Sequence, residues 1–143
     1  MTYVSDKIRL RVWQRSSNCC EYCLLNQKAT FWTHEIDHII SLKHEGLNII
    51  ENLALACFYC NRNKGTDIGS IFKDELIRFY NPRKDKWTEH FQLDLDTAVI
   101  QTLTPIGFVT AKILGFNQIE RIMERQALIK AGQYSLPSEF NDI

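Results

Sequence analysis

The chain has 143 residues, 45% hydrophobic and 24% charged, with 17 basic and 17 acidic side chains. That length can bury a real core, and with only three prolines and six glycines the composition excludes a low-complexity or disordered polymer. No apolar run approaches the roughly 18 residues of a membrane-spanning helix, and Met1 to Lys7 lack the layout of a signal peptide, so a cytoplasmic protein with no membrane partner is expected.

Zero net charge is thin support for nucleic-acid binding, where a basic excess is usual. The distribution is less even. Residues 1–34 hold five basic and two acidic groups (net +3), residues 35–70 three and five (net −2), and residues 71–143 nine and ten (net −1). An acidic middle suits carboxylates that meet a metal ion, or is local variation.

In chain order, residues 5–17 read as a helix capped by Ser5, with Ile8 and Val12 one turn apart. Lys7, Arg9, Arg11 and Arg15 make it basic, as a solvated face or a phosphate-contacting one. Residues 18–24 form a tight loop. Residues 29–33 and 35–40 look extended, the latter from its β-branched content. A polar connection over 41–50 leads to a short strand or turn at 52–56, and a helix runs from Cys57 to about Lys64, ended by Gly65.

Beyond residue 70 no obvious metal ligand appears. Phe79 to Arg83 reads as a turn, and Trp87, His90 and Phe91 share a helical face. A strand is expected over 97–103. Thr104-Pro105 is a cap followed by a first helical residue, Asn117 with Glu120 resembles a capping box, and Gly132 is a stop.

Five cysteines are present, and four of them form two Cys-x-x-Cys pairs, Cys20/Cys23 and Cys57/Cys60, with Cys19 left over and expected to be a thiol outside both pairs. In a cytosolic chain such pairs favour zinc over disulfides; two pairs complete a closed tetrahedral site, which is structural. Redox pairs or buried thiols are the alternative.

Between and just after the pairs stand Asp37-His38, Asn52 and Asn61-Arg62-Asn63-Lys64. On a helix, Cys57, Asn61 and Lys64 share one face. A strand at 36–40 sends Asp37 and His38 to opposite sides unless its end is bulged or turned. Each residue also has a plainer reading. Asn61 could make local hydrogen bonds, with Asn63 its rival; Asn52 could cap a turn; Lys64 could be solvated. His34 and His44 are expected at the surface. Phe72, Phe79, Tyr80, Trp87 and Phe91 fit a core better than a base-stacking surface.

The string Cys20-Glu-Tyr-Cys23, Ile36-Asp37-His38-Ile39-Ile40, Asn52-Leu53 and Cys57-x-x-Cys60-Asn61-x-x-Lys64-Gly65 resembles the zinc-containing HNH endonucleases over residues 20–65. Asn61 stands where the third signature residue is often His, and Asp37 where many relatives have Glu. Asn81-Pro82-Arg83 with Trp87, His90 and Phe91, and Leu103 to Gly107, are similar to bacterial HNH proteins of about this length. The resemblance implies an α+β fold with a ββα-metal core: a single HNH domain over 1–143, its core about 18–66 and a helical C-terminal extension about 67–143. It implies His38 as general base, a role suited to a residue type that titrates near neutrality. Asp37 and Asn61 would hold Mg²⁺ or another divalent ion. Asn52 would fix the loop that aims His38. Arg62 and Lys64 would contact phosphate, and Cys20, Cys23, Cys57 and Cys60 would bind structural Zn²⁺. The implied activity is DNA phosphodiester hydrolysis leaving 5′-phosphate and 3′-hydroxyl ends, with a homodimer or protein partner supplying further affinity. A zinc-stapled nucleic-acid-binding module without catalysis is the alternative.

Overall fold

The computed structural model describes residues 4–134. Helix α1, Asp6–Arg15, starts where the Ser5 side chain accepts from the Ile8 amide and ends at Ser16. Strands β1, Glu35–His38, and β2, Leu53–Ala56, pair antiparallel, with Glu35 opposite Ala56 and His38 opposite Leu53. The stretch at 29–33 is not a strand; a 3-10 turn, Gln27–Ala29, stands there, followed by bends.

Helix α2, Phe58–Lys64, begins at Cys57 and stops at Gly65, whose φ of 53° suits a residue without a Cβ. A hairpin follows, β3 (Gly69–Phe72) with β4 (Glu75–Arg78), turning on Lys73 and Asp74, both at positive φ. Next come the one-turn helix α3, Trp87–His90, and a third hairpin of β5, Phe91–Leu93, with β6, Ile100–Thr102. Helix α4, Pro105–Leu114, is capped by Thr104 as its sequence predicts, and α5, Ile119–Lys130, is followed by Gly132 at φ 68°. Asn117 does not cap α5. Its amide bonds both the N–H and the C=O of Ile100, closing the end of β6, and Gln118 takes the capping position.

The β1–β2 hairpin has two buried faces because β2 is apolar at every position. Leu53 and Leu55 join Val4, Val12 and Ile36 beneath α1. Ala54 and Ala56 join the four cysteines, Trp87, Phe91, Leu114 and Phe116 in the second and larger cluster. Small alanines let α2 sit close on that face. Phe79, Tyr80, Trp87 and Phe91 are core residues. The described helices include none long and apolar enough to cross a membrane.

Candidate functional site

The four cysteines meet at one point. Cys20 and Cys23 come from the tight loop closed by the Leu24 N–H bond to the Cys20 carbonyl, with Leu24 at φ 71°. Cys57 and Cys60 come from the start of α2. All four Sγ atoms lie within 4.8 Å of one another and are buried, and Cys23 Sγ lies 3.6 Å from Cys57 Sγ. Sulfur atoms at the corners of a zinc tetrahedron stand about 3.8 Å apart, whereas a disulfide needs about 2.05 Å. The cluster therefore fits a closed structural zinc site. Backbone N–H groups of Cys23 and Cys60 donate to Cys20 Sγ and Cys57 Sγ, each at 3.4 Å. From α5, the buried Arg121 donates Nη2 to Cys60 Sγ at 3.2 Å and Nη1 to the Leu114 carbonyl at 2.7 Å. That guanidinium offsets thiolate charge and ties the C-terminal helices to the centre.

Strand alternation determines the rest. Cross-strand partners share a face. His38, opposite Leu53, lies on the α1 face, and Asp37, opposite Ala54, lies on the α2 face with Glu35. No bulge intervenes within β1.

His38 Nε2 lies 3.0 Å from Asn48 Oδ1. Since that oxygen only accepts, Nε2 is the donor, and in a neutral ring the lone pair is on Nδ1. Asn52 fixes the loop between the strands: its Oδ1 accepts from the Ile40 N–H at 2.9 Å, and its Nδ2 donates to the carbonyls of Ile40 (2.9 Å) and Leu47 (2.8 Å). Gly46 packs against the same carbonyl so closely that a Cβ there would lie 1.7 Å from the Ile40 oxygen.

On the other face, Asp37 is buried. It accepts from the Tyr22 hydroxyl at 2.7 Å, and Lys64 Nζ lies 3.2 Å from each of its oxygens. Burial pushes the Asp37 carboxyl up, against the pull of Lys64 and Tyr22. Lys64 also donates to the His38 carbonyl at 2.9 Å and is 1% exposed. It is therefore not a phosphate contact, as its motif position implies, but the buried counter-ion of Asp37. Asn61, one turn earlier on α2, donates to Glu35 Oε2 at 2.6 Å. Asn63 turns away and bonds the Leu114 carbonyl. Arg62 is exposed, with its guanidinium over the Phe58 ring. His44 is exposed as expected, but His34 is buried and bonds the Leu25 carbonyl at 2.8 Å.

The structure thus joins Asp37 to Lys64, Asn61 to Glu35 and His38 to Asn48; no hydrogen bond links His38 to Asp37 or Asn61. Glu35, Asn48, Tyr22 and Arg121 were missed by sequence reasoning. Only Glu35 carried a signal, as a carboxylate two residues before Asp37 and so on the same strand face.

A cleft of about 640 Å³ lies between α1 and the turn after β4, edged by Arg11, Arg15, Arg83, Lys84 and Lys86 and also by Glu21, Glu51 and Asp85. Arg15 and Arg83 close on the same carboxylate, Glu21, which also accepts from the Leu55 N–H. None of Asp37, His38, Asn52, Asn61, Arg62, Asn63 and Lys64 lines it.

Two short antiparallel strands crossed by a helix, with a four-cysteine centre at the helix start, define an α+β protein with a ββα-metal core. Residues 20–67 match the family model of HNH endonuclease, so the resemblance carried by the cysteine pairs, Asp37-His38, Asn52 and Asn61 holds over that stretch. No curated protein and no solved structure matches the chain.

Proposed function

We propose that the chain is a metal-dependent endonuclease that hydrolyses DNA phosphodiester bonds, leaving 5′-phosphate and 3′-hydroxyl ends, and acts in the cytoplasm. The observation that carries this reading is the HNH match over the segment that holds His38, Asn52 and Asn61 together with the cysteine centre.

In this reading His38 is the general base. Its Nε2–H is spent on Asn48, which leaves Nδ1 to take a proton from the attacking water. Asn52 holds the loop that carries Asn48 and the end of β1. Cys20, Cys23, Cys57 and Cys60 would hold a structural Zn²⁺, which would fix the start of α2. The oxygen donors for a hard catalytic cation such as Mg²⁺ are Asn61 and Glu35, with Asp37 behind them on the same strand face. That ion supplies charge stabilisation at the phosphate and the leaving 3′ oxygen. Arg62 contacts phosphate, and the basic cleft beside α1 accommodates more of the backbone. A homodimer or a protein partner would supply the second cut.

One observation favours a second reading, a zinc-stapled nucleic-acid-binding module without catalysis. His38 and Asn61 lie on opposite faces of the hairpin, and Asp37 already has a cation in Lys64. The two readings separate in a plasmid-nicking assay with zinc-loaded protein, with and without added Mg²⁺ or Mn²⁺.

A further inference from the structure

Phe79, Tyr80, Trp87 and Phe91 are buried in the core and cannot stack on bases. A different set stands beside α2. Phe31 is 90% exposed and Trp32 49% exposed, on the loop that leads into β1. Trp32 stacks on Phe58, the first residue of α2, with centroids 4.9 Å apart and planes 20° from parallel. Phe31 meets Trp32 edge-on at 5.4 Å, and the Arg62 guanidinium lies 5.6 Å from the Phe58 centroid on the next turn. Phe58 and Arg62 bracket Asn61 in sequence, so this ladder shares the helix end that carries the candidate ion ligand.

The loop is braced. The Gln27 side chain donates to the Trp32 carbonyl at 3.1 Å and accepts from the His34 N–H, while His34 is buried against Leu25 and stacks on Trp13. A held loop that leaves Phe31 almost wholly in water forgoes the gain of burying that ring. The ladder offers the exposed rings of Phe31 and Trp32 and a cation at its Phe58 end. A planar ring tied to an anion complements it; an aliphatic peptide side chain would leave Arg62 without a partner.

We propose that Phe31, Trp32 and Phe58 form a stacking platform for an unpaired nucleobase whose flanking phosphate meets Arg62. Base faces inside a duplex are covered by their neighbours, so only a single-stranded, splayed or flipped nucleotide can use the platform. The proposal rests on the nucleic-acid reading above and narrows its substrate to strands with unpaired bases next to the cut.

The test uses the full zinc-loaded chain without added divalent ion, so that binding is read apart from cleavage. A fluorescently labelled single-stranded oligonucleotide and its duplex are titrated by anisotropy. Phe31→Ala and Trp32→Ala are each expected to weaken single-strand binding by about 5- to 150-fold, the range of one lost base stack, and to change duplex binding by less than about twofold. Tryptophan emission of the wild type should fall on adding the single strand. Trp32→Phe should remove most of that quenching while keeping most of the affinity, since Trp87 is 2% exposed and Trp13 packs on His34 rather than in the ladder. Single-strand affinity unchanged in both alanine variants, or equal losses on single strand and duplex, overturns the platform. If either result is found while the wild type still nicks DNA with added divalent ion, the platform falls and the nuclease reading stands.

Discussion

Asp37 and His38 are neighbours on β1 with side chains on opposite faces of the hairpin: Asp37 is buried against Lys64 and Tyr22, and His38 bonds Asn48 on the α1 side. One residue of strand separates a structural charge from a candidate base. Lys64→Met should leave a buried carboxylate unpaired and lower stability by about 3–5 kcal/mol, read by urea unfolding. Lys64→Met combined with Asp37→Asn should recover much of that loss. An unchanged midpoint in the single variant would mean the pair is not buried in solution.

The loop between the strands depends on one amide. Asn52→Ala removes three hydrogen bonds and leaves the Ile40 N–H without its partner. A loss of about 1–3 kcal/mol is expected, with faster hydrogen exchange confined to residues 40–48. Gly46→Ala should disturb the same loop by collision rather than by lost bonds. Equal exchange in Asn52→Ala and wild type would remove Asn52 from this role.

Metal content tests the cysteine centre. One zinc per chain is expected, and Cys57→Ser should lose both the metal and the cooperative fold. Arg121→Met should keep the fold but weaken zinc affinity by about 10- to 100-fold in a chelator competition, because its guanidinium sits on Cys60 Sγ. Zinc affinity unaltered by Arg121→Met would assign that arginine to packing alone.

His34 gives a pH dependence of known sign. Burial holds its pKa below the ordinary 6.5, so the folded state disfavours its charged form. Its contribution is full above about pH 6.5 and is lost as pH falls from there through the lower folded value. His34→Gln should flatten this part of the stability profile in unfolding titrations between pH 5 and pH 8. A profile of the same slope in the variant would assign the titration elsewhere.

The centre was legible because its ligands are close in sequence and chemically distinctive: two Cys-x-x-Cys pairs, a helix started at Cys57 and stopped at Gly65, and an asparagine in the connecting loop. The alternation of Asp37 and His38 was also legible, since it follows from strand geometry alone. Lys64 was not, because nothing local marks a lysine as buried; its partner lies 27 residues away on another element. Arg121, 61 residues from Cys60, was hidden for the same reason. The β3–β4 hairpin escaped notice because Lys73-Asp74 lacks the glycine that usually marks a turn with two positive φ values. Asn117 carried a capping pattern, yet tertiary pairing with Ile100 took its side chain.

The central claim is catalysis at His38. It is tested most directly by plasmid nicking with zinc-loaded wild type and His38→Ala, each with Mg²⁺, with Mn²⁺ and without added divalent ion. Nicking that requires the ion and falls at least about 100-fold in His38→Ala is the predicted result, in line with the loss of a general base. Nicking that survives His38→Ala, or a folded wild type that binds DNA and never cuts it, would contradict the claim; the latter would make the chain a binding module.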